Sequence, residues 1–275
     1  MANIKLNGNT IIKYESLLND LRQKGKLAVA FSGGVDSTLL LRAAKEALGD
    51  NVIAVTAGCE SVSEHDLAQA EQFCRDEGIE QKVVSIEQLA ISGFAENSPD
   101  RCYICKKAIF RSIIALAEGC GFGNVAEGTN TDDENDYRPG ARAISELGVL
   151  SPLKDAGLSK AEIREISRAL GLPTWNKPAT PCLATRIPTG ERITAEKLRM
   201  IDLSEQFLSG LGFHQIRVRM HGDDLARVEV TPEEFGMLVE NRQAVSDRLK
   251  AIGFRYVSMD LTGYRMGNMN KTDDE

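Results

Sequence analysis

The segment Phe31-Ser32-Gly33-Gly34-Val35-Asp36-Ser37 constrains this chain more than any other part of it. The apolar run that precedes it, 26–31, reads as a buried strand, and the residues that follow, 38–48, repeat with a helical period. A strand, a Gly-rich turn and a helix start in succession make an anion cradle. Backbone N–H groups and the positive end of the helix dipole converge there on phosphate. Gly33 and Gly34 leave room for close approach, and Ser32 and Ser37 add hydroxyl donors. Asp36 would repel a phosphate unless a cation stood between them, which implies Mg²⁺. The turn lacks the lysine of a G-x-x-x-x-G-K-[ST] loop, so its phosphate chemistry differs from that of the P-loop.

The rest of the first two thirds alternates. Strands are predicted at 27–31, 52–56, 82–86, 124–127 and 149–152, and helices at 11–24, 37–48, 64–77, 105–118 and 160–170. Ser61-x-x-Glu64 and Ser159-x-x-Glu162 have the form of capping boxes. Such alternation predicts an α/β, Rossmann-like fold with a parallel sheet covered on both faces and ligands at the carboxyl ends of its strands. After Pro188 the pattern changes. A helix at 194–211, strands at 215–220 and 225–230, a helix from Thr231-Pro232-Glu233-Glu234 to about 252 and a strand at 254–261 predict a second, smaller α+β domain. The expected division is 1–187 and 188–275.

The 275 residues carry a net charge of −7, with 42% hydrophobic and 27% charged residues. This suits a water-soluble globular chain and argues against a nonspecific nucleic-acid surface. No apolar run is long enough to span a bilayer, and 1–9 lacks the pattern of a signal peptide, so the expected location is cytoplasmic.

In that compartment the six cysteines are not a disulfide framework. Cys102 and Cys105 form a C-x-x-C within Arg101-Cys102-Tyr103-Ile104-Cys105-Lys106, and Cys182 lies in the Pro-rich loop Pro181-Cys182-Leu183-Ala184-Thr185-Arg186. Three thiolates suit an iron–sulfur cluster with one open iron or a zinc with an exchangeable ligand. Redox chemistry at the C-x-x-C pair, and a pair of thiols unrelated to Cys182, are the competing readings. Cys59, Cys74 and Cys120 read as buried hydrophobes. His65, His214 and His221 show no ligand spacing and read as structural.

The hexapeptide S-G-G-V-D-S resembles the pyrophosphate loop of the PP-loop ATP pyrophosphatases, which split ATP between the α- and β-phosphates. Taken with the two cysteine motifs, Glu127-Gly128-Thr129-Asn130-x-Asp132-Asp133 and Tyr137-Arg138-Pro139-Gly140, it resembles the LarE family across nearly the whole chain. These are ATP-dependent sulfur transferases of nickel-pincer nucleotide biosynthesis. The resemblance implies that a carboxylate of pyridinium-3,5-biscarboxylic acid mononucleotide is adenylated and that sulfur then displaces AMP to leave a thiocarboxylate. Three cysteines match the members that hold a [4Fe–4S] cluster, here on Cys102, Cys105 and Cys182, rather than those that sacrifice the sulfur of the residue matching Cys182.

ATP is expected to meet Ser32, Gly33, Gly34, Asp36, Ser37, Thr56, Ala57, Gly128 and Thr129. Arg138, Arg142, Arg217 and Arg219 are candidates for the substrate's phosphate or carboxylates. Arg217 and Arg219 share one face of a strand, either as a phosphate-binding pair or as a salt-bridged face. The implied partners are the nucleotide substrate, a sulfide or other sulfur donor, and further copies of the chain. The alternatives are a tRNA-thiolating enzyme, an ammonia-using PP-loop ligase, and a nucleotide-binding regulator with a structural zinc.

Overall fold

In a computed structural model the described residues are 7–135, 139–179 and 181–265. The chain forms two compact units, one of residues 1–87 and 102–179, the other of residues 88–101 and 180–275.

The first unit is built on a four-stranded parallel sheet in the order β3-β2-β1-β4, with β1 Leu27–Ala30, β2 Val52–Gly58, β3 Glu80–Ser85 and β4 Val125–Ala126. Helices α1 (Gly8–Gln23), α2 (Val35–Leu48), α3 (Glu64–Asp76), α4 (Arg101–Gly119), α5 (Pro139–Glu146), α6 (Pro152–Asp155) and α7 (Lys160–Ala169) surround it. Period-two alternation divides the core. Leu27, Val29, Val52 and Ala54 join Leu17, Leu40, Phe73 and Ile163 in one cluster. Ala28, Ile53 and Val55 join Phe110, Ile113 and Ile144 in another. Both faces of the inner strands are therefore apolar, as a doubly covered parallel sheet requires. The strand predicted at 149–152 shrinks to a single parallel bridge between Ala126 and Leu150, because Pro152 opens α6 there. Ser63, not Ser61, caps α3, by accepting the N–H of Asp66. The capping box at Ser159 and Glu162 forms as predicted.

The second unit holds α8 (Ala195–Gly210), β5 (Arg217–His221), β6 (Leu225–Glu229), α9 (Phe235–Glu240), α10 (Arg242–Ile252) and β7 (Tyr256–Met259). Its sheet is mixed. β5 and β6 form an antiparallel hairpin, and β7 joins β6 in parallel. The helix predicted from residue 231 is instead a short 3-10 turn, α9 and α10, broken at Asn241, whose side-chain amide donates to the Met237 carbonyl. The excursion 88–101 belongs to this unit because Asn97 stitches it there. Fully buried, Asn97 donates from Nδ2 to Pro188 O at 2.7 Å, and its own carbonyl accepts from Gly190 N at 2.9 Å.

Candidate active site

The turn after β1 keeps the sheet's pairing one residue beyond the strand, since Phe31 N donates to Val55 O at 2.9 Å. The Ser32 and Ser37 hydroxyls then meet at 3.0 Å across the loop, and α2 starts at Val35. Gly33 takes φ +69, and a Cβ there would lie 3.4 Å from that of Ala70, so the turn rests on α3.

Asp36 sits in the first turn of α2, where the helix dipole favours a carboxylate. Its two oxygens are both engaged. Oδ1 accepts from Asn130 Nδ2 at 3.3 Å and Oδ2 from Lys160 Nζ at 2.5 Å. Lys160 is the first residue of α7, and its backbone N–H donates to Asp132 Oδ2 at 2.9 Å. Asp132 N in turn donates to Asn130 Oδ1 at 3.0 Å. The Asn130-x-Asp132-Asp133 segment thus fixes both the carboxylate and the ammonium beside it. Gly128 permits this, because a Cβ there would lie 2.9 Å from Ser37 N and 3.1 Å from Asp36 Cβ. Sequence reasoning singled out the motif that holds Asn130 and Asp132 without giving either a role, and it missed Lys160. The only signal was the Ser159 capping box, which places Lys160 at a helix start without saying what faces it.

Asp36 beside an ammonium fits a cation-binding carboxylate. Mg²⁺ commonly takes one or two protein carboxylates and completes its shell with water and substrate phosphates. Among the described residues no three His, Cys, Asp or Glu side chains group as a protein-built metal site would need.

The other predicted ATP contacts divide. Thr56 is buried near the carboxyl end of β2 with its hydroxyl accepting from Gln81 Nε2 at 2.8 Å, and Ala57 beside it is half-buried. Thr129 N is turned onto its own Glu127 Oε1 at 3.1 Å. Arg142 lies on α5 with its guanidinium 3.8 Å from the Tyr103 ring centroid and 3.4 Å from Glu146, so it braces α4 against α5. Arg138 lies outside the described residues.

Cys102 and Cys105 fall in the first turns of α4, three apart and so on one face, with Cys102 exposed and Cys105 buried. Cys182 is exposed in the second unit, before a 3-10 turn at Leu183–Arg186. Its loop is clamped by Arg186, fully buried, whose Nη1 donates to the carbonyls of Pro181 at 2.7 Å and Cys182 at 3.3 Å. Nε and Nη2 of Arg186 meet the Glu205 carboxylate at 2.9 and 2.8 Å. Burial opposes the charge of Arg186, but Glu205 outweighs it and holds the guanidinium above its ordinary range. Cys74 differs. Burial pushes its thiol up to about 12, as expected of a core residue.

Arg217 and Arg219 share one face of β5, and both are buried. Arg219 pairs with Glu229 at 3.0 Å and donates to Thr185 O, also at 3.0 Å. Arg217 lies over the Tyr264 ring, 5.0 Å from its centroid, and donates to Ile216 O. Burial, then the neighbouring Arg186, lowers its pKa. The second unit therefore concentrates guanidiniums around the carboxylates of Glu205 and Glu229.

A strand, the S-G-G-V-D-S turn and a helix with Asp36 in its first turn follow one another as in a PP-loop protein. A PP-loop domain model matches residues 6–102. Across 94% of this chain, a protein of Synechocystis sp. described as uncharacterized is 40% identical over 98% of its own length. The pyridinium-3,5-bisthiocarboxylic acid mononucleotide synthase of Lactiplantibacillus plantarum is 36% identical, covering 94% of each chain. An uncharacterized protein of Methanocaldococcus jannaschii is 30% identical over 93% of this chain and 97% of its own. The chain belongs to the LarE family of PP-loop, ATP-dependent sulfur transferases. Among the described residues, no helix is long and apolar enough to cross a membrane.

Proposed function

We propose that this protein adenylates a carboxylate of pyridinium-3,5-biscarboxylic acid mononucleotide and converts it to a thiocarboxylate. The observation that carries the reading is the Asp36 carboxylate, set in the first turn of α2 and flanked by Asn130 and Lys160, in a chain 36% identical to the named synthase. A carboxylate is a poor electrophile because its leaving group would be oxide. Attack of its oxygen on the α-phosphorus of ATP releases pyrophosphate and gives an acyl-adenylate. Sulfide then attacks the acyl carbon, AMP leaves, and a proton is released.

The chain's contribution to the first step is electrostatic. The turn's N–H groups and hydroxyls meet the phosphates. Asp36 would hold Mg²⁺, and Lys160 beside it would offset the negative charge of the departing pyrophosphate. Thr56, Ala57, Gly128 and Thr129 line the strand ends proposed for the rest of ATP. Arg217 and Arg219 are proposed for the substrate's phosphate, with Arg138 and Arg142 as the alternative pair.

For the second step, Cys102, Cys105 and Cys182 are proposed to hold a [4Fe–4S] cluster. Cys102 and Cys105 share one helix face and Cys182 is exposed on an Arg-clamped loop; the support for the cluster is the thiolate chemistry of these donors, not their grouping. Three thiolates leave one iron open to bind and release sulfide. The proposed setting is a cytoplasmic homo-oligomer. Anaerobic iron and sulfide analysis, with mass spectrometry of the product after incubation with ATP, substrate and sulfide, tests the reading. Clustered iron and a mass gain of sulfur for oxygen support it. Pyrophosphate release without a thiolated product refutes it.

A further inference from the structure

A second lysine touches the nucleotide turn, and nothing in the proposed chemistry uses it. Lys177 Nζ donates to Asp66 Oδ1 at 2.7 Å and Gln69 Oε1 at 2.9 Å, both on α3, and to the carbonyl of Gly33 at 3.2 Å. The pair is well shielded, with side-chain exposures of 16% for Lys177 and 20% for Asp66.

The Gly33 carbonyl shares a planar trans peptide with the Gly34 N–H, so the two groups point in opposite directions. Whatever holds the carbonyl also aims the N–H. Flanked by two glycines, this peptide has little steric resistance to flipping. A flip would turn a carbonyl oxygen, rather than an N–H, toward the phosphates. The Gly34 N–H donates to the Ser32 hydroxyl at 3.4 Å, a length that leaves it available to a stronger acceptor. A cation on the carbonyl also polarises the peptide and strengthens its N–H as a donor.

We propose that Lys177 is a positioning residue of the nucleotide site: by holding the Gly33 carbonyl it fixes the Gly34 N–H toward the phosphates of ATP. The inference rests on the reading of this turn as the ATP site. Lys177 touches no phosphate itself. The ammonium meets Asp66 and Gln69 as separate acceptors, so its bond to the Gly33 carbonyl does not require the ion pair.

The full-length protein is tested for Mg-ATP binding by calorimetry and for pyrophosphate release. Lys177→Met keeps the aliphatic stem and removes the donor. It should raise both the Kd and the KM for ATP about tenfold, the scale of one lost hydrogen bond from a charged group, and shift the backbone amide resonance of Gly34. Lys177→Arg, which still reaches the carbonyl, should restore most of the affinity. Asp66→Asn removes the ion pair but leaves a donor on Gly33, so ATP affinity should change by no more than about twofold.

If Asp66→Asn loses as much affinity as Lys177→Met, Lys177 is only a tether to α3 and the proposal fails. Unchanged affinity in Lys177→Met overturns it equally. Should that variant not fold, Lys177→Leu, which also lacks a donor, provides the same comparison. Wild-type protein that binds no Mg-ATP would instead refute the reading of the turn itself.

Discussion

Lys160 Nζ lies 2.5 Å from Asp36 Oδ2, although the two residues are 124 apart in sequence. The contact supplies a lysine to a phosphate turn whose own sequence lacks one, and it comes from the start of another helix. It also keeps a positive charge beside the carboxylate that is proposed to hold Mg²⁺.

Asp36→Ala should abolish pyrophosphate release while the far-ultraviolet circular dichroism stays native, because Asp36 is proposed to hold metal and not to pack. Lys160→Ala should retain some turnover and raise the ATP KM roughly ten- to a hundredfold, the equivalent of about 1.5–3 kcal/mol. A pyrophosphate assay over a range of ATP and Mg²⁺ measures both. Wild-type rates in Asp36→Ala would remove the basis of the assignment.

Replacing Cys102, Cys105 or Cys182 by Ala should each remove the iron–sulfur absorption and the thiolated product. Cys59→Ala, Cys74→Ala and Cys120→Ala should keep both. Cys182 should retain its mass through many turnovers, read by peptide mass spectrometry. Loss of one sulfur at Cys182 per sulfur in the product would establish the sacrificial route instead.

Arg219 and Arg217 should separate by what each leaves behind. Arg219→Ala removes one partner of the fully buried Glu229, which Arg227 also meets at 3.2 Å. Its first effect should be a loss of stability on the order of 3 kcal/mol, read by chemical denaturation. Arg217→Ala removes a guanidinium that lies over the Tyr264 ring. It should raise the substrate KM by about ten- to a hundredfold with little change in ATP affinity. If both variants bind the nucleotide substrate as the wild type does, Arg138 and Arg142 become the phosphate candidates.

The cap of α7 should give stability an acid limb. Burial by itself would raise the pKa of Glu162, but hydrogen bonds from Lys13 and Ser159 outweigh it and hold the carboxyl below its ordinary value. A depressed carboxyl contributes stability above its unfolded pKa and loses it as pH falls through the folded one. Glu162→Gln should therefore lower Tm at neutral pH and flatten its decline below about pH 4.5. Parallel Tm–pH curves for the two proteins would show that the cap contributes no acid sensitivity.

Much of this was legible in the order of residues. The alternation of apolar runs fixed a parallel sheet, since a strand buried on both faces needs apolar residues at every position. The turn's glycines, serines and aspartate identified a phosphate cradle, because local backbone geometry and donor chemistry suffice for that. The Ser159 capping box is just as local, and it formed as written. Where local signals competed, the sequence reading erred. Pro152 ended a strand that hydrophobicity favoured, and the helix expected after residue 231 broke at Asn241.

Tertiary structure alone decided which polar residues meet. Nothing near Asp36 in sequence points to Lys160 or Asn130, and nothing near Gly33 points to Lys177. These contacts arise because parallel strands bring loops distant in sequence to one edge of the sheet. Likewise, two arginines two apart on a strand are guaranteed a common face but not a common environment. Whether that face meets solvent, ligand or a buried carboxylate depends on what packs over it, and here Glu229 lies under Arg219 while the Tyr264 ring lies against Arg217.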